Sequence, residues 1–225
     1  MRPATAGAHS ATSSSARIAF AIRSCWAREI IDREELLVFV DAAEANETIR
    51  PFLPLAESLG KLKPAFKEGG KITAGNSSQI TDGAGAVLLM TREKADALGV
   101  KPLARIVGYA AGGVDPAYMG LGPVPAIRRA LQSAGMALGD IDMIELNEAF
   151  ASQGLATLRE LGVADDAAHV NPNGGAIALG HPLGCSGSRI VGTLLHLMKD
   201  RGAKLGVAAM CIGIGQGVAT VLERD

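Results

Sequence analysis

From residue 84 to the C-terminus, short apolar segments alternate with segments whose apolar residues repeat at helical spacing. Such alternation is typical of βαβ units, and it predicts an α/β fold with a mostly parallel sheet. The last two strands are separated only by a glycine-rich turn, so they are predicted to be antiparallel neighbours. The predicted strands cover 84–90, 103–111, 141–146, 205–211 and 217–222, and the predicted helices cover 92–98, 123–134, 148–161 and 185–199.

The helix ends are predicted from residues with known capping preferences. Thr91 is a favourable N-cap for the helix over 92–98, and Gly99 ends it. Pro123 fits the first turn of the helix over 123–134, and Gly135 stops that helix. Gly162 is expected to end the helix over 148–161.

The N-terminal part differs in composition from the rest of the chain. Residues 1–28 are basic and rich in serine, and the first acidic residue is Glu29. These properties are typical of a transit peptide, and an unstructured start is the alternative. Residues 29–71 contain several prolines and predict loop-rich structure with one short strand at 36–40.

Charge and cysteine content exclude several function classes. The formal net charge is −1 and aromatic residues are 4% of the chain, which argues against nucleic-acid or anionic-membrane partners. No apolar run approaches the roughly 18 residues of a membrane-spanning helix. Cys25, Cys185 and Cys211 lack the paired spacing of a metal site, so no metal is expected, and a reduced intracellular compartment is favoured.

Glycine is unusually frequent, at 28 of 225 residues, about 12% where roughly 7% is average. The glycines concentrate at predicted junctions between strands and helices, where α/β proteins place their chemistry. Asn147 follows one predicted strand, and its side chain can either cap the next helix or direct its amide into a cleft.

His181 lies in the glycine-rich run 171–187, between Gly180 and Pro182 and just before a predicted helix. A histidine held so tightly is a candidate general base, although a lone histidine is usually structural. The dipole of the following helix is expected to lower its pKa.

Cys211 ends a predicted buried strand and is followed by Gly213, Gly215 and Gly217. It is either an inert buried thiol or a reactive one whose neighbours offer backbone N–H groups to an oxyanion. The glycine spacing also imitates part of a dinucleotide-binding fingerprint, but it precedes a strand rather than a helix.

Five segments together resemble the thiolase family in order and spacing. They are TAGNSSQITDGA at 73–84, MGLGPVPA at 119–126, NEAFA at 147–151, GGAIALGHPLGCSG at 174–187 and CIGIGQG at 211–217. The resemblance implies a thiolase-like layered α/β fold. It assigns 29–80 to the end of the loop domain, 81–102 to the last strand and helix of the N-terminal half, and 103–225 to the C-terminal domain. Residues 1–28 match no family segment.

The resemblance also implies acyl transfer to and from coenzyme A, either thiolytic cleavage of a 3-ketoacyl-CoA or Claisen condensation, with CoA as substrate and no cofactor. His181 would activate the nucleophilic cysteine and help to hold the thioester oxygen, and Cys211 would be the acid/base for the acetyl carbon and the CoA thiol. Asn147 would position a water in an oxyanion site with His181. Gly213 would donate its N–H to an oxyanion. The remaining implied roles are contacts to the pantetheine arm and the acyl pocket, at Ala74, Ser78, Phe66, Met119 and Phe150.

One departure from the family is evident. Thiolases carry a nucleophilic cysteine in an N-terminal half that this chain lacks, and Cys25 is not in a matching context. The nucleophile is therefore unassigned, and the chain is expected to be a truncated thiolase. It is expected to form a homo-oligomer or to associate with a complementing N-terminal half. The alternative is a non-catalytic CoA-binding or remnant protein. A cytoplasmic location in fatty acid metabolism and beta-oxidation is expected, with mitochondrial import as the alternative.

Overall fold

The computed structural model describes residues 36–40, as a backbone strand, and residues 60–225. The predictions for Cys25, for the segment 1–28 and for most of the loop-rich segment lie outside the described residues. The six described strands are β1 (Leu36–Val40), β2 (Val87–Thr91), β3 (Ala104–Gly113), β4 (Met143–Leu146), β5 (Leu205–Ile212) and β6 (Gln216–Glu223).

These strands form one mixed sheet in the order β2-β1-β3-β6-β5-β4. Within this sheet only the β4–β5 pair is parallel, so the expectation of a mostly parallel sheet is wrong for the described part of the chain. The reason is the hairpin at 213–215, which returns β6 between β5 and β3. A strand inserted by a tight hairpin runs opposite to its partner. The predicted antiparallel pairing of the last two strands is confirmed.

The α-helices are α1 (Arg92–Leu98), α2 (Pro123–Ala134), α3 (Ala151–Leu161), α4 (Ala176–Leu179) and α5 (Ser186–Arg201). Two short 3-10 helices cover Pro116–Leu121 and Leu138–Asp140. The bounds predicted for α1 and α2 are confirmed, because their signals are local. The Thr91 side chain accepts from the Lys94 N–H, and Gly99 and Gly135 adopt the left-handed conformation.

Helices cover both faces of the sheet. One core cluster joins α2 and α3 to the sheet through side chains such as Ile127, Leu158 and Val207. The second joins α5 to the opposite face, where Leu194 and Ala208 are buried. Neighbouring residues of β5 thus enter different clusters, as the two-residue period of a strand requires. No helix in the described residues is long and apolar enough to cross a bilayer.

Candidate active site

The parallel pair β4–β5 brings two of the predicted site residues to one edge of the sheet. Leu146 pairs with Ala209 in the parallel register, and the next residue, Asn147, donates its backbone N–H to the Ala209 carbonyl at 2.9 Å. Cys211 lies two residues further along β5. Because the carboxyl ends of parallel strands meet at the same edge, Asn147 and Cys211 share this edge.

Asn147 is completely buried, and its Nδ2 atom lies 3.3 Å from His181 Nε2. Helix α3 begins only at Ala151, three residues later than predicted, with Phe150 in the N-cap position. The later start follows from a long-range contact, since Phe150 forms a β-bridge with Ser77 and its backbone is extended. Of the two roles open to Asn147, the structure favours the amide directed into the site.

The loop around His181 is held by close backbone packing. Gly180 has a φ of 95°, and a Cβ atom there would approach the Thr81 side chain to 2.5 Å. The backbone N–H of His181 donates to the Gln79 carbonyl at 3.0 Å. Glycine therefore allows the segment at 79–81 to lie directly against this loop.

The two ring nitrogens of His181 have different partners. Nδ1 lies 2.5 Å from the Ser186 hydroxyl, and that hydroxyl donates to the Pro182 carbonyl at 3.0 Å. A hydroxyl has one proton, so Ser186 accepts from Nδ1–H and leaves the lone pair on Nε2. Nε2 then accepts from Asn147 Nδ2, and all three contacts are satisfied at once.

Burial lowers the pKa of His181, and the positive charge of Arg189 lowers that pKa further. The direction matches the prediction, but its causes are burial and a neighbouring cation rather than the helix dipole. A lowered pKa keeps the imidazole neutral near pH 7, the form in which it can accept a proton.

Three charged residues near His181 and Asn147 were not predicted from the sequence. Burial raises the pKa of Glu145 on β4 to about 7, Arg189 opposes the rise, and Glu148 adds to it. Burial lowers the pKa of Arg189 on α5, against the opposing charges of Glu145, Cys185 and Glu148. Glu145 could have been found from the sequence, since it lies between Ile144 and Leu146 in a predicted apolar strand, where a charged side chain is unusual.

Glu148 fastens the glycine-rich run to the end of β4. Its carboxylate accepts from Asn171 Nδ2 at 2.9 Å and from the Ile177 N–H at 3.3 Å. Asn171 also exchanges two 2.8 Å hydrogen bonds with the backbone of Leu146. A Cβ atom on Gly175 would collide with the Glu148 carboxylate, so any other residue there requires the carboxylate to move.

Burial also raises the pKa of the Cys211 thiol, an effect that its own backbone N–H partly opposes. Cys211 and Cys185 are both free and buried. Gly213 lies in the exposed turn between β5 and β6, and nothing lies within 4 Å of the position of a Cβ atom on it. The turn packs against the start of the Pro116–Leu121 helix, because Val114 donates its N–H to the Gly215 carbonyl at 2.7 Å.

The residues predicted to contact the pantetheine arm and the acyl pocket divide into two groups. Phe66 and Phe150 pack edge to face with ring centroids 6.1 Å apart. Ser78 joins them, since its N–H donates to the Ala149 carbonyl at 3.0 Å. Ala74 is exposed in a turn, and Met119 is half-buried in the Pro116–Leu121 helix.

No group of three or more His, Cys, Asp or Glu side chains that could hold a metal ion occurs among the described residues. The absence of a metal and of a cofactor stays a prediction.

Family models match most of the chain. A model described as "Thiolase, C-terminal domain" matches residues 100–224, and one described as "Thiolase, N-terminal domain" matches residues 7–93. The second match reaches into the segment 1–28, for which no family counterpart was expected, and the domain boundaries themselves stay a prediction.

Curated relatives are similar in sequence but longer. An acetyl-CoA acetyltransferase of Syntrophomonas wolfei is 59% identical over 167 residues, which are 74% of this chain and 42% of the relative. A 3-ketoacyl-CoA thiolase of Marinobacter nauticus is 58% identical over 190 residues, which are 83% of this chain and 48% of the relative. The chain therefore spans less than half of each relative's length.

Solved structures show the same likeness. Human mitochondrial 3-ketoacyl-CoA thiolase in complex with CoA is 50% identical with a TM-score of 0.74, and the match covers 76% of this chain and 43% of that one. An acetyl-CoA acetyltransferase of Bacillus anthracis is 49% identical with a TM-score of 0.73 and the same coverage. The likeness shows that the described part has a thiolase-like α/β fold.

Proposed function

The chain belongs to the thiolase family, and on that premise we propose that it contributes the acid/base part of an acyl-CoA acyltransferase site. The observation that carries the proposal is the contact chain from Asn147 through His181 to Ser186, beside the sheet edge that ends in Cys211. The reaction class is thiolytic cleavage of a 3-ketoacyl-CoA or its reverse, Claisen condensation.

In the proposed thiolysis, the cleavage of the 3-ketoacyl-CoA begins with attack by a cysteine thiolate on the keto carbon. The bond between that carbon and the acetyl-CoA carbon then breaks. The electron pair goes to acetyl-CoA, which takes a proton from Cys211. CoA then gives its thiol proton to Cys211, and the resulting CoA thiolate attacks the acyl carbon. A new acyl-CoA thioester forms, and the bond from that carbon to the nucleophilic cysteine breaks and releases the cysteine as a thiolate. A thiol whose pKa is raised by burial suits this role, since it holds a proton ready to give at neutral pH.

His181 and Asn147 are proposed to serve the thioester oxygen and the nucleophile. The Nε2 lone pair of a neutral His181 is the proposed acceptor for the proton of an attacking thiol. In this structure that lone pair faces the Asn147 amide N–H, so the thiol would take the place of the amide at Nε2. The Gly213 N–H, in an exposed turn next to Cys211, is the proposed donor to a second oxyanion.

The pantetheine arm is proposed to run over the cluster of Phe66, Phe150 and Ser78, with Ala74 and Met119 further out. The aromatic pair offers an apolar surface, and the main chain at 76–78 is paired to the segment that carries Asn147. A ligand on this surface would therefore approach the site along its rigid edge.

We infer that the nucleophilic thiol comes from outside the described residues, because Cys211 is already assigned to acid/base work and Cys185 is buried at the start of α5. A complementing N-terminal half would supply it. Exposed apolar side chains support such an association. Ile80, Leu183 and Ile214 are at least 79% exposed, and burying apolar side chains stabilises a complex by about 25 cal/mol per Å².

Turnover tests the proposal most directly. The purified chain is incubated with acetoacetyl-CoA and CoA, alone and with a separately expressed thiolase N-terminal half, and the enolate absorbance is followed. We expect loss of absorbance in the complemented sample, abolished by His181→Gln. His196→Gln, which changes an exposed histidine of α5, is the matched control. No turnover in any combination would contradict the proposal.

A non-catalytic CoA-binding protein is the second candidate, and it is favoured by the lack of an exposed thiol among the described cysteines. Calorimetric titration with CoA separates the two. Binding without turnover in any combination supports this candidate, and absence of both binding and turnover contradicts both.

A further inference from the structure

Arg189 reaches from helix α5 toward the buried amide of Asn147. Its Nη2 atom lies 3.5 Å from Asn147 Oδ1, at the long end of the hydrogen-bonding range. The other end of the same amide, Nδ2, faces His181 Nε2 at 3.3 Å. Asn147 thus stands between a permanent cation and the imidazole.

The cation determines which end of the amide faces the histidine. A carboxamide has an oxygen that attracts a guanidinium and an NH2 group that would place donor against donor. With the oxygen turned to Arg189, the NH2 group must point at His181. Nε2 can accept from it only if the ring proton is on Nδ1, where Ser186 accepts it.

We propose that Arg189 is a positioning residue that fixes the orientation of the Asn147 amide and, through it, the tautomer of His181. The chemical use of this arrangement rests on the proposed function. Its readout is the imidazole itself, which is measurable whether or not the chain turns over acyl-CoA.

The surroundings of Arg189 support a role beyond packing. Its Nε and Nη1 atoms are buried and make no hydrogen bond, and neither does Glu145 Oε1. Glu145 on β4, Glu148 before α3 and Cys185 at the start of α5 are the titratable groups that act on Arg189, and Arg189 is the charged group that acts on His181. A buried charge with unsatisfied donors contributes little to stability, so packing alone does not account for Arg189 next to Asn147.

The test is histidine NMR on the full chain labelled with ¹⁵N-histidine. The chain has four histidines, and His181→Asn assigns the signal of interest. Long-range ¹H–¹⁵N spectra report the tautomer, and a pH titration reports the pKa. In the unmodified chain we expect His181 almost entirely in the Nδ1–H form, and the opposite tautomer would overturn the proposal without any variant.

Variants of Arg189 separate orientation from charge. In Arg189→Met we expect a mixture of tautomers and a rise in the pKa of His181. In Arg189→Lys we expect the pKa to stay lowered, because the charge remains, while the tautomer mixture appears in part. Arg201→Met, an exposed change on the same helix, should alter neither.

An unchanged His181 spectrum in Arg189→Met overturns the proposal. If that variant does not fold, Arg189→Lys decides. A fully retained Nδ1–H tautomer in Arg189→Lys would overturn it, whatever the pKa of His181. If only the proposed function fails, the His181 spectra of the unmodified chain, the Arg189 variants and Arg201→Met all follow the expectations above. In that case no sample turns over acyl-CoA or binds CoA.

Discussion

The Nδ1 atom of His181 lies 2.5 Å from the hydroxyl oxygen of Ser186, five residues further along the chain. Ser186 is completely buried in the first turn of α5 and has its own acceptor in the Pro182 carbonyl. The hydroxyl therefore links the loop, the histidine and the helix at one point.

Replacing Ser186 with alanine should destabilise the chain and loosen His181. The half-buried Nδ1–H loses its acceptor, and an unsatisfied buried donor costs about 1–3 kcal/mol. Urea unfolding of Ser186→Ala measures this cost. Ser188→Ala is the matched control on the same helix, because the Ser188 hydroxyl donates to the Cys185 carbonyl and does not touch His181. A loss no larger in Ser186→Ala than in Ser188→Ala would contradict the expectation.

Glu145 should make stability fall as the pH rises. Burial raises the pKa of this carboxyl from an ordinary 4.5 to about 7, so between these values the folded chain holds a proton that the unfolded chain has released. Stability is then lost as pH rises from about 4.5 to about 7. The difference between the pKa values of Glu145 in the folded and unfolded chain corresponds to about 3 kcal/mol in the free energy of unfolding. Glu145→Gln cannot ionise, and it should gain up to that amount over the unmodified chain between pH 4.5 and pH 8.

Urea unfolding at both pH values measures the gain. The lowered pKa of His181 acts in the opposite sense, since it makes stability fall as the pH drops through about 6.5, but it is common to both proteins and cancels in their difference. Glu160→Gln, an exposed change on α3, is the control for the removal of a carboxylate. A Glu145→Gln difference that does not change between the two pH values would contradict a raised pKa of Glu145 in the folded chain.

The helix ends could be predicted from neighbouring residues, but the pairing of distant strands could not be predicted from the sequence. Thr91 and Gly99 are capping residues whose partners lie within one turn, so the bounds of α1 could be read directly. The direction of β6 relative to β5 follows from the hairpin and was predicted, but the pairing of β6 with β3, over a hundred residues away, was not. Local alternation of strands and helices carries no information on that pairing, and the predicted parallel sheet was wrong for this reason.

Some residues of the candidate active site could be predicted from the sequence and others could not. Asn147 stood out as a polar residue at the end of a predicted strand, and His181 and Cys211 stood out because they lie in or next to glycine-rich segments. Arg189 did not, although it lies three residues after Ser186 and thus on the same helical face. Spacing places two side chains on one face, but the partner across the interface depends on the packing of α5 against β4.

The Cys211 thiol should react slowly with alkylating agents. It is buried at 6% exposure, and burial raises its pKa, so both access and the thiolate fraction are reduced. Mass spectrometry of the chain treated with iodoacetamide at pH 7 and pH 9 should show slower modification of Cys211 than of glutathione at both values. Reaction as fast as glutathione at pH 7 would contradict a protonated thiol, and an equal rate in urea would show that the fold does not protect it.

Two glycines of the same run should respond to alanine with opposite signs. A Cβ atom on Gly175 would collide with the Glu148 carboxylate, so Gly175→Ala must displace Glu148 from Asn171 and Ile177. Overpacking of this kind costs about 1–3 kcal/mol. Gly187 lies within α5 with nothing inside 4 Å of its Cβ position, so Gly187→Ala should stabilise the helix by about 0.5–1 kcal/mol. Urea midpoints that shift in the same direction for both variants would show that Glu148 has room to move, and that its hydrogen bonds do not hold the glycine-rich run in place.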